Sequence, residues 1–255
     1  MQDTEYRRLA ALLEAIDMPA AMGAALLGLA RGEELPAPPP GADELLAHLL
    51  LSLRNRADGP WQGLPEDVFI ATMQAFSRFV REHERSFGCV GFDRAFWTTR
   101  QASAALLRVG EMEYERRESE GERWLSLHIP SNTRLLPELL NASVDRARAL
   151  FAAHFPRWAD APIRLHSWLL SPALPALLPE GSRIVRFQRA FDVTELDPDP
   201  IDCLEWVFHI PGARLREARL ADLEETTSLQ RSMKAYLLAG GKVGDARGVL
   251  ARAFD

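Results

Sequence analysis

Near residue 110 the hydrophobic pattern changes its period, and few folds accommodate both halves of such a chain. Before that point apolar residues recur at helical spacing. "TEYRRLAALLEAI" puts Tyr6, Leu9, Leu12 and Leu13 on one face, and "PEDVFIATMQAFSRFVREHERSF" carries a broad stripe of Val68, Met73, Phe76, Phe79 and Val80. Between them lie "AAMGAALLGLARG" and "ADELLAHLLLSLRNR", separated by "LPAPPPG", whose four prolines and glycine cannot continue a helix. Asp43 and Glu44 open the second of these, where the helix dipole favours acids. A further helix is expected over "FDRAFWTTRQASAALLRVG".

From Glu111 the pattern alternates. Met112 and Tyr114 interleave with Glu111, Glu113 and Glu115, a period of two. "SEG" at 119–121 reads as a turn and "RWLSLHIP" as the returning strand of a hairpin. "PELLNASVDRARALFAAHF" is a helix with Pro137 at its first position, "PIRLHSWLL" a strand and "SPALPALLP" a short helix. "RIVRFQRAFDV" and "CLEWVFHI" are read as strands, and "TSLQRSMKAYLLAG" as a last helix. The strand–helix–strand unit over 123–170 suits a right-handed crossover joining parallel strands. The fold class is therefore α/β (α+β): a helical N-terminal domain, 1–95, followed by a mixed β-sheet flanked by helices, 96–255.

The net charge of −6 gives no whole-chain electrostatic case for nucleic acid or an acidic membrane surface. No apolar run reaches the ~18 residues of a membrane span, and the acidic, amphipathic N-terminus is unlike a signal peptide. A cytoplasmic protein is the expectation. Cys89 and Cys203 lie far apart in apolar sequence and read as buried thiols. His128, His166 and His209 are all read on strands, but no His-x-x-x-His or Cys-x-x-Cys pair points to a metal, and none is expected.

The blocks "FWTTRQASAALLRVGEMEYE", "LHIPSN", "LHSWLLSPALPALLP", "RFQRAF" and "TSLQRSMKAYLLAGG", in that order, resemble bacterial acyltransferase-domain proteins with a helical N-terminal domain and a GNAT-like C-terminal domain. The resemblance implies acyl-CoA or acetyl-CoA as co-substrate, and a small-molecule amine or peptide as acceptor. It also implies two parallel strands that splay apart, with the CoA pyrophosphate over the N-terminus of the helix that follows the first of them. "RWLSLHIP" and "PIRLHSWLL" would be those strands, which puts His128 and His166 near the fork. Ile129, Ser131, Asn132, Thr133 and Arg134 would then meet the CoA, although "PSNTRLLPELL" lacks the glycines the family commonly carries there. Ser171, a helix N-cap before Pro172, is a further candidate donor.

Glu111 and Glu113, with His128 and His166, are the candidates for proton transfer. Each has a plainer reading. The three glutamates can form a solvated strand face opposite Arg116, Arg117 and Arg123, and either histidine can be a hydrogen-bonded structural group. A non-catalytic GNAT-like module, binding a ligand or a protein, is the alternative to an enzyme. Acyl chain length, acceptor identity and oligomeric state leave no mark in the sequence.

Overall fold

A computed structural model describes residues 2–199 and 201–255, and the chain divides into two compact units, one ending at Val109 and one spanning Gly110–Asp255. The first holds α1 (Asp3–Ala15), α2 (Ala20–Arg31), α3 (Ala42–Asp58), α4 (Glu66–Phe87), α5 (Ala95–Ala102) and a short strand β1 (Leu106–Val109). The stripes read from the sequence are the buried faces: Leu9, Leu12 and Leu13 on α1, and Val68, Met73, Phe76, Phe79 and Val80 on α4. Trp61 is fully buried, its indole N–H donating to the Gln101 carbonyl at 2.9 Å. Gly41 precedes α3 at φ 73°, where a Cβ would lie 1.9 Å from the Phe92 carbonyl oxygen, so only glycine fits. The segment 106–109, expected at the end of a helix, is instead a strand with all four residues buried.

The second unit contains β2 (Met112–Ser119), β3 (Glu122–His128), α6 (Pro137–His154), β4 (Ile163–Ser167), α7 (Leu174–Leu177), α8 (Arg183–Gln188), β5 (Phe191–Asp197), α9 (Asp202–Phe208), α10 (Ser228–Leu238) and β6 (Asp245–Leu250). Its strands lie in the order β2-β3-β4-β6-β5. β3 and β4 are parallel, joined through α6 as the crossover requires, and the other pairings are antiparallel. Glu120 and Gly121, both at positive φ, make the two-residue β2–β3 turn. One sheet face is apolar: Tyr114, Leu125, Leu127, Ile163 and Leu165 are buried on it. Tyr114 reaches α6, with its hydroxyl 3.2 Å from Ser143 Oγ and its ring edge-on to Phe151. A second core gathers Leu174, Cys203, Leu204, Val207, Phe208 and Met233.

Several expectations fail in the last third. "RIVRFQ" is helix α8 rather than strand, and the strand begins only at Phe191. The helix is held from outside, with Phe187 stacked on Phe254 and Gln188 donating to the Leu169 and Ser171 carbonyls. "CLEWVF" is helix α9, since its buried residues, Cys203, Leu204, Val207 and Phe208, recur at helical spacing. His209 is not on a strand; it caps α9 in the left-handed region at φ 58°. Cys89 is exposed and only Cys203 is buried. α7 starts at Leu174, so Ser171 is not its N-cap. β6, which the sequence reading leaves unassigned, runs between β4 and β5.

Candidate active site

Opposite the apolar sheet face, the same alternation collects charge. Glu113 pairs with His128 across β2 and β3, and His166 pairs with Arg247 across β4 and β6. Cross-strand partners share a face, as do residues two apart on one strand. Glu113, Glu115, His128, His166, Asp245 and Arg247 therefore lie on one side of the sheet. The glutamates do not form a solvated face: Glu111, Glu113 and Glu115 are all buried, at 8, 2 and 3% exposure.

The parallel ladder of β3 and β4 runs from Leu125 opposite Ile163 to Leu127 opposite Leu165. Both strands continue beyond it, to His128 and to Ser167. The two histidines are thus the first residues past the last pair of this ladder.

They have different surroundings. His128 Nε2 is 3.0 Å from Glu115 Oε2, and the other Glu115 oxygen lies 3.2 Å from Arg117 Nε. His166 is the more open, its side chain 45% exposed, with Nε2 3.8 Å from Asp245 Oδ2. That separation is beyond hydrogen-bond range and within reach of an ion pair. Asp245 itself is 5% exposed, and its Oδ1 has no hydrogen-bond partner. Burial, then the neighbouring carboxylates of Asp202 and Asp197, push its carboxyl up to about 6. Arg247 turns to Glu195 at 2.6 Å, and Arg164 pairs with Glu122.

Glu111 lies elsewhere. It stands in the turn before β2 rather than on the strand, beside Gly110 at φ 64°. Its carboxylate accepts from the Arg134 backbone N–H at 2.9 Å and from the guanidinium at 3.0 and 2.6 Å. Its carbonyl accepts from Thr133 Oγ1 at 2.9 Å. Glu111 is therefore a clamp on the loop leading from β3 to α6, holding the Arg134 guanidinium with Oε1 and its backbone N–H with Oε2. In that loop Ser131 and Asn132 are exposed just ahead of α6, whose first residue is Pro137. Ile129 follows His128 directly and is half-buried. Ser171 is buried, its Oγ accepting from the Ala173 N–H at 3.5 Å.

Among the described residues, no group of three or more His, Cys, Asp or Glu side chains is arranged to hold a metal ion. Among them, too, no helix is long and apolar enough to cross a membrane. Asp245 is the residue that sequence reasoning missed. "DARGVL" lacks an apolar run, and it places two charged residues, Asp245 and Arg247, on one face of the strand.

Residues 75–250 match the family model of a GNAT-like C-terminal domain. No curated protein matches the chain. Among solved structures, an acyltransferase in complex with decanoyl-CoA and teicoplanin is 25% identical, with a TM-score of 0.77 over 94% of this chain and 87% of that one. An acyltransferase in complex with CoA and 10C-Teicoplanin is 26% identical, with a TM-score of 0.74 over 91% and 76%. A mutant acyltransferase in complex with octanoyl-CoA, 24% identical, shares the fold with a TM-score of 0.78 over 98% and 88%.

Proposed function

Because the chain belongs to the GNAT-like C-terminal domain family, we propose that it is an acyl-CoA-dependent acyltransferase whose acceptor is an amine on a small molecule or peptide. The observation that carries this reading is the fork: two parallel strands cease pairing at Leu127 and Leu165, and the first of them leads through a clamped loop into α6. The similar acyltransferases hold CoA or acyl-CoA, and two of them hold teicoplanin or 10C-Teicoplanin, which supports a glycopeptide-like acceptor. A donor made from CoA fits a bacterial, cytoplasmic setting. Residues 1–95 serve in this reading as a helical domain and 96–255 as the acyltransferase domain.

In this reading the pantetheine amides meet strand backbone at the fork. Ser131 and Asn132 offer hydrogen-bond donors to the pyrophosphate, and Arg134, held by Glu111, a cation. No glycine is needed for that contact if side chains supply it.

At the fork His166 removes a proton from the acceptor ammonium. The freed nitrogen lone pair attacks the thioester carbon, the nitrogen loses its second proton to solvent, and the C–S bond breaks. The departing CoA thiolate takes up a proton to leave as thiol. His128, already engaged with Glu115, and the buried Glu113 shape the field around the fork rather than exchange protons with substrate. Glu111 acts on the loop.

Thermal melting across CoA, acetyl-CoA and longer acyl-CoAs tests the reading. A ligand at 100 times its Kd adds about 2.7 kcal/mol to the native state. A rise in Tm with acyl-CoA, followed by amine-dependent thiol release, is the expected result. A folded protein that no CoA species stabilises would instead be the non-catalytic module.

A further inference from the structure

Asp245 is a buried acid without an obvious structural reason to be there. It is 5% exposed, its Oδ1 has no hydrogen-bond partner, and two further carboxylates, Asp197 on β5 and Asp202 on α9, face it electrostatically along with the Cys203 thiol. Nothing cationic offsets them within its own strand, since Arg247 is turned to Glu195. His166 lies near it, its Nε2 3.8 Å from Oδ2. β6 brings them together: it pairs with β4 so that His166 faces Arg247, and Asp245 follows two residues along on the same face.

We infer that Asp245 is the positioning residue for His166. It selects the tautomer that carries the proton on Nε2, which leaves the Nδ1 lone pair for the acceptor amine. When Nδ1 takes the ammonium proton the ring becomes an imidazolium, and Asp245 supplies the opposite charge. The proton later leaves from Nδ1 to the CoA thiolate, returning the pair to its starting state. Asp245 touches no substrate in this scheme and acts only through the imidazole. In this scheme the half-exposed His166 ring turns to bring the 3.8 Å separation to hydrogen-bond length.

The inference rests on the acyltransferase reading for its effect on rate, but not for its effect on the imidazole. The test therefore has two arms. In the first, ¹⁵N NMR of the full chain, with His166→Ala used to assign the ring signals, should show His166 protonated on Nε2 in the wild type. The shift should change in Asp245→Asn. A wild-type ring protonated on Nδ1 would overturn the inference even if the variant does not fold. In the second arm, Asp245→Asn should lower kcat about 10- to 100-fold with KM for acyl-CoA unchanged, Asp245→Glu should recover part of the loss, and in a His166→Ala background Asp245→Asn should cost nothing further. An equal loss in both backgrounds would make Asp245 structural. If no acyl-CoA is turned over by any form, the enzymatic reading has failed, and the first arm alone decides whether the pair exists.

Discussion

The two histidines at the fork occupy equivalent positions on neighbouring strands and stand in different company. His128 is half-buried and meets Glu115 at 3.0 Å, while Glu115 also serves Arg117, so all three partners are engaged. His166 is open to the outside and faces a carboxylate whose Oδ1 has no hydrogen-bond partner. A fully paired buried network gives rigidity. A half-paired one stores a tendency to take up charge, which is what a proton acceptor needs. The same residue type at the same register thus has a structural version and a reactive version, and the difference lies in the carboxylate behind each.

Substitutions can break or sharpen that contrast. His166→Ala should have the largest effect, lowering kcat about 10²- to 10⁴-fold, the usual contribution of general base catalysis. The melting shift given by acyl-CoA should survive. Equal losses from His166→Ala and His128→Ala in a steady-state assay would erase the distinction.

Next comes the cost of Asp245 itself. Its carboxyl sits at about 6 in the folded chain, against about 3.9 when unfolded. The raised value means the native state binds the proton more tightly, so ionisation destabilises the fold above pH 6. That penalty fades as pH falls from about 6 towards 4. Asp245→Asn should therefore be more stable than wild type at pH 8, by up to about 3 kcal/mol, with the difference vanishing near pH 4. A variant less stable than wild type at pH 8 would mean that the carboxylate is held by favourable contacts.

Glu111→Gln should act on binding alone. Losing the charge-assisted bonds to Arg134 frees the loop, and KM for acyl-CoA should rise about 10-fold with kcat little changed. His128→Ala is expected to be mildest in rate, within about 5-fold, while costing about 1–3 kcal/mol of stability because it strips a partner from buried Glu115. Urea denaturation separates those two consequences.

Legibility in the sequence followed how far each segment decides its own structure. α1 and α4 have stripes wide enough to be read directly, and the β2–β3 hairpin is marked by alternation and by Glu120-Gly121. The fork histidines follow from those strands. The segment 183–188 could not be read in the same way, because Phe187 and Gln188 are held by Phe254 and by carbonyls at Leu169 and Ser171. β6 is sandwiched between two strands and presents Asp245 and Arg247 on one face, so it has no apolar run. α9 carries both signals: its aromatic and β-branched residues favour a strand, while its buried positions keep a helical spacing. The partner carboxylates were hidden for the same reason. Glu115 looked like surface, and Asp245 sat on an element that only long-range pairing creates.

The Glu111 clamp has a thermodynamic consequence for ligand capture. A glycine-rich phosphate loop is free to move and must be ordered when its anion arrives, at an entropic cost charged to affinity. Here Arg134 and Thr133 are already tied to Glu111 by four hydrogen bonds. The ordering was completed when the chain folded, so CoA would meet a loop with little freedom left to lose.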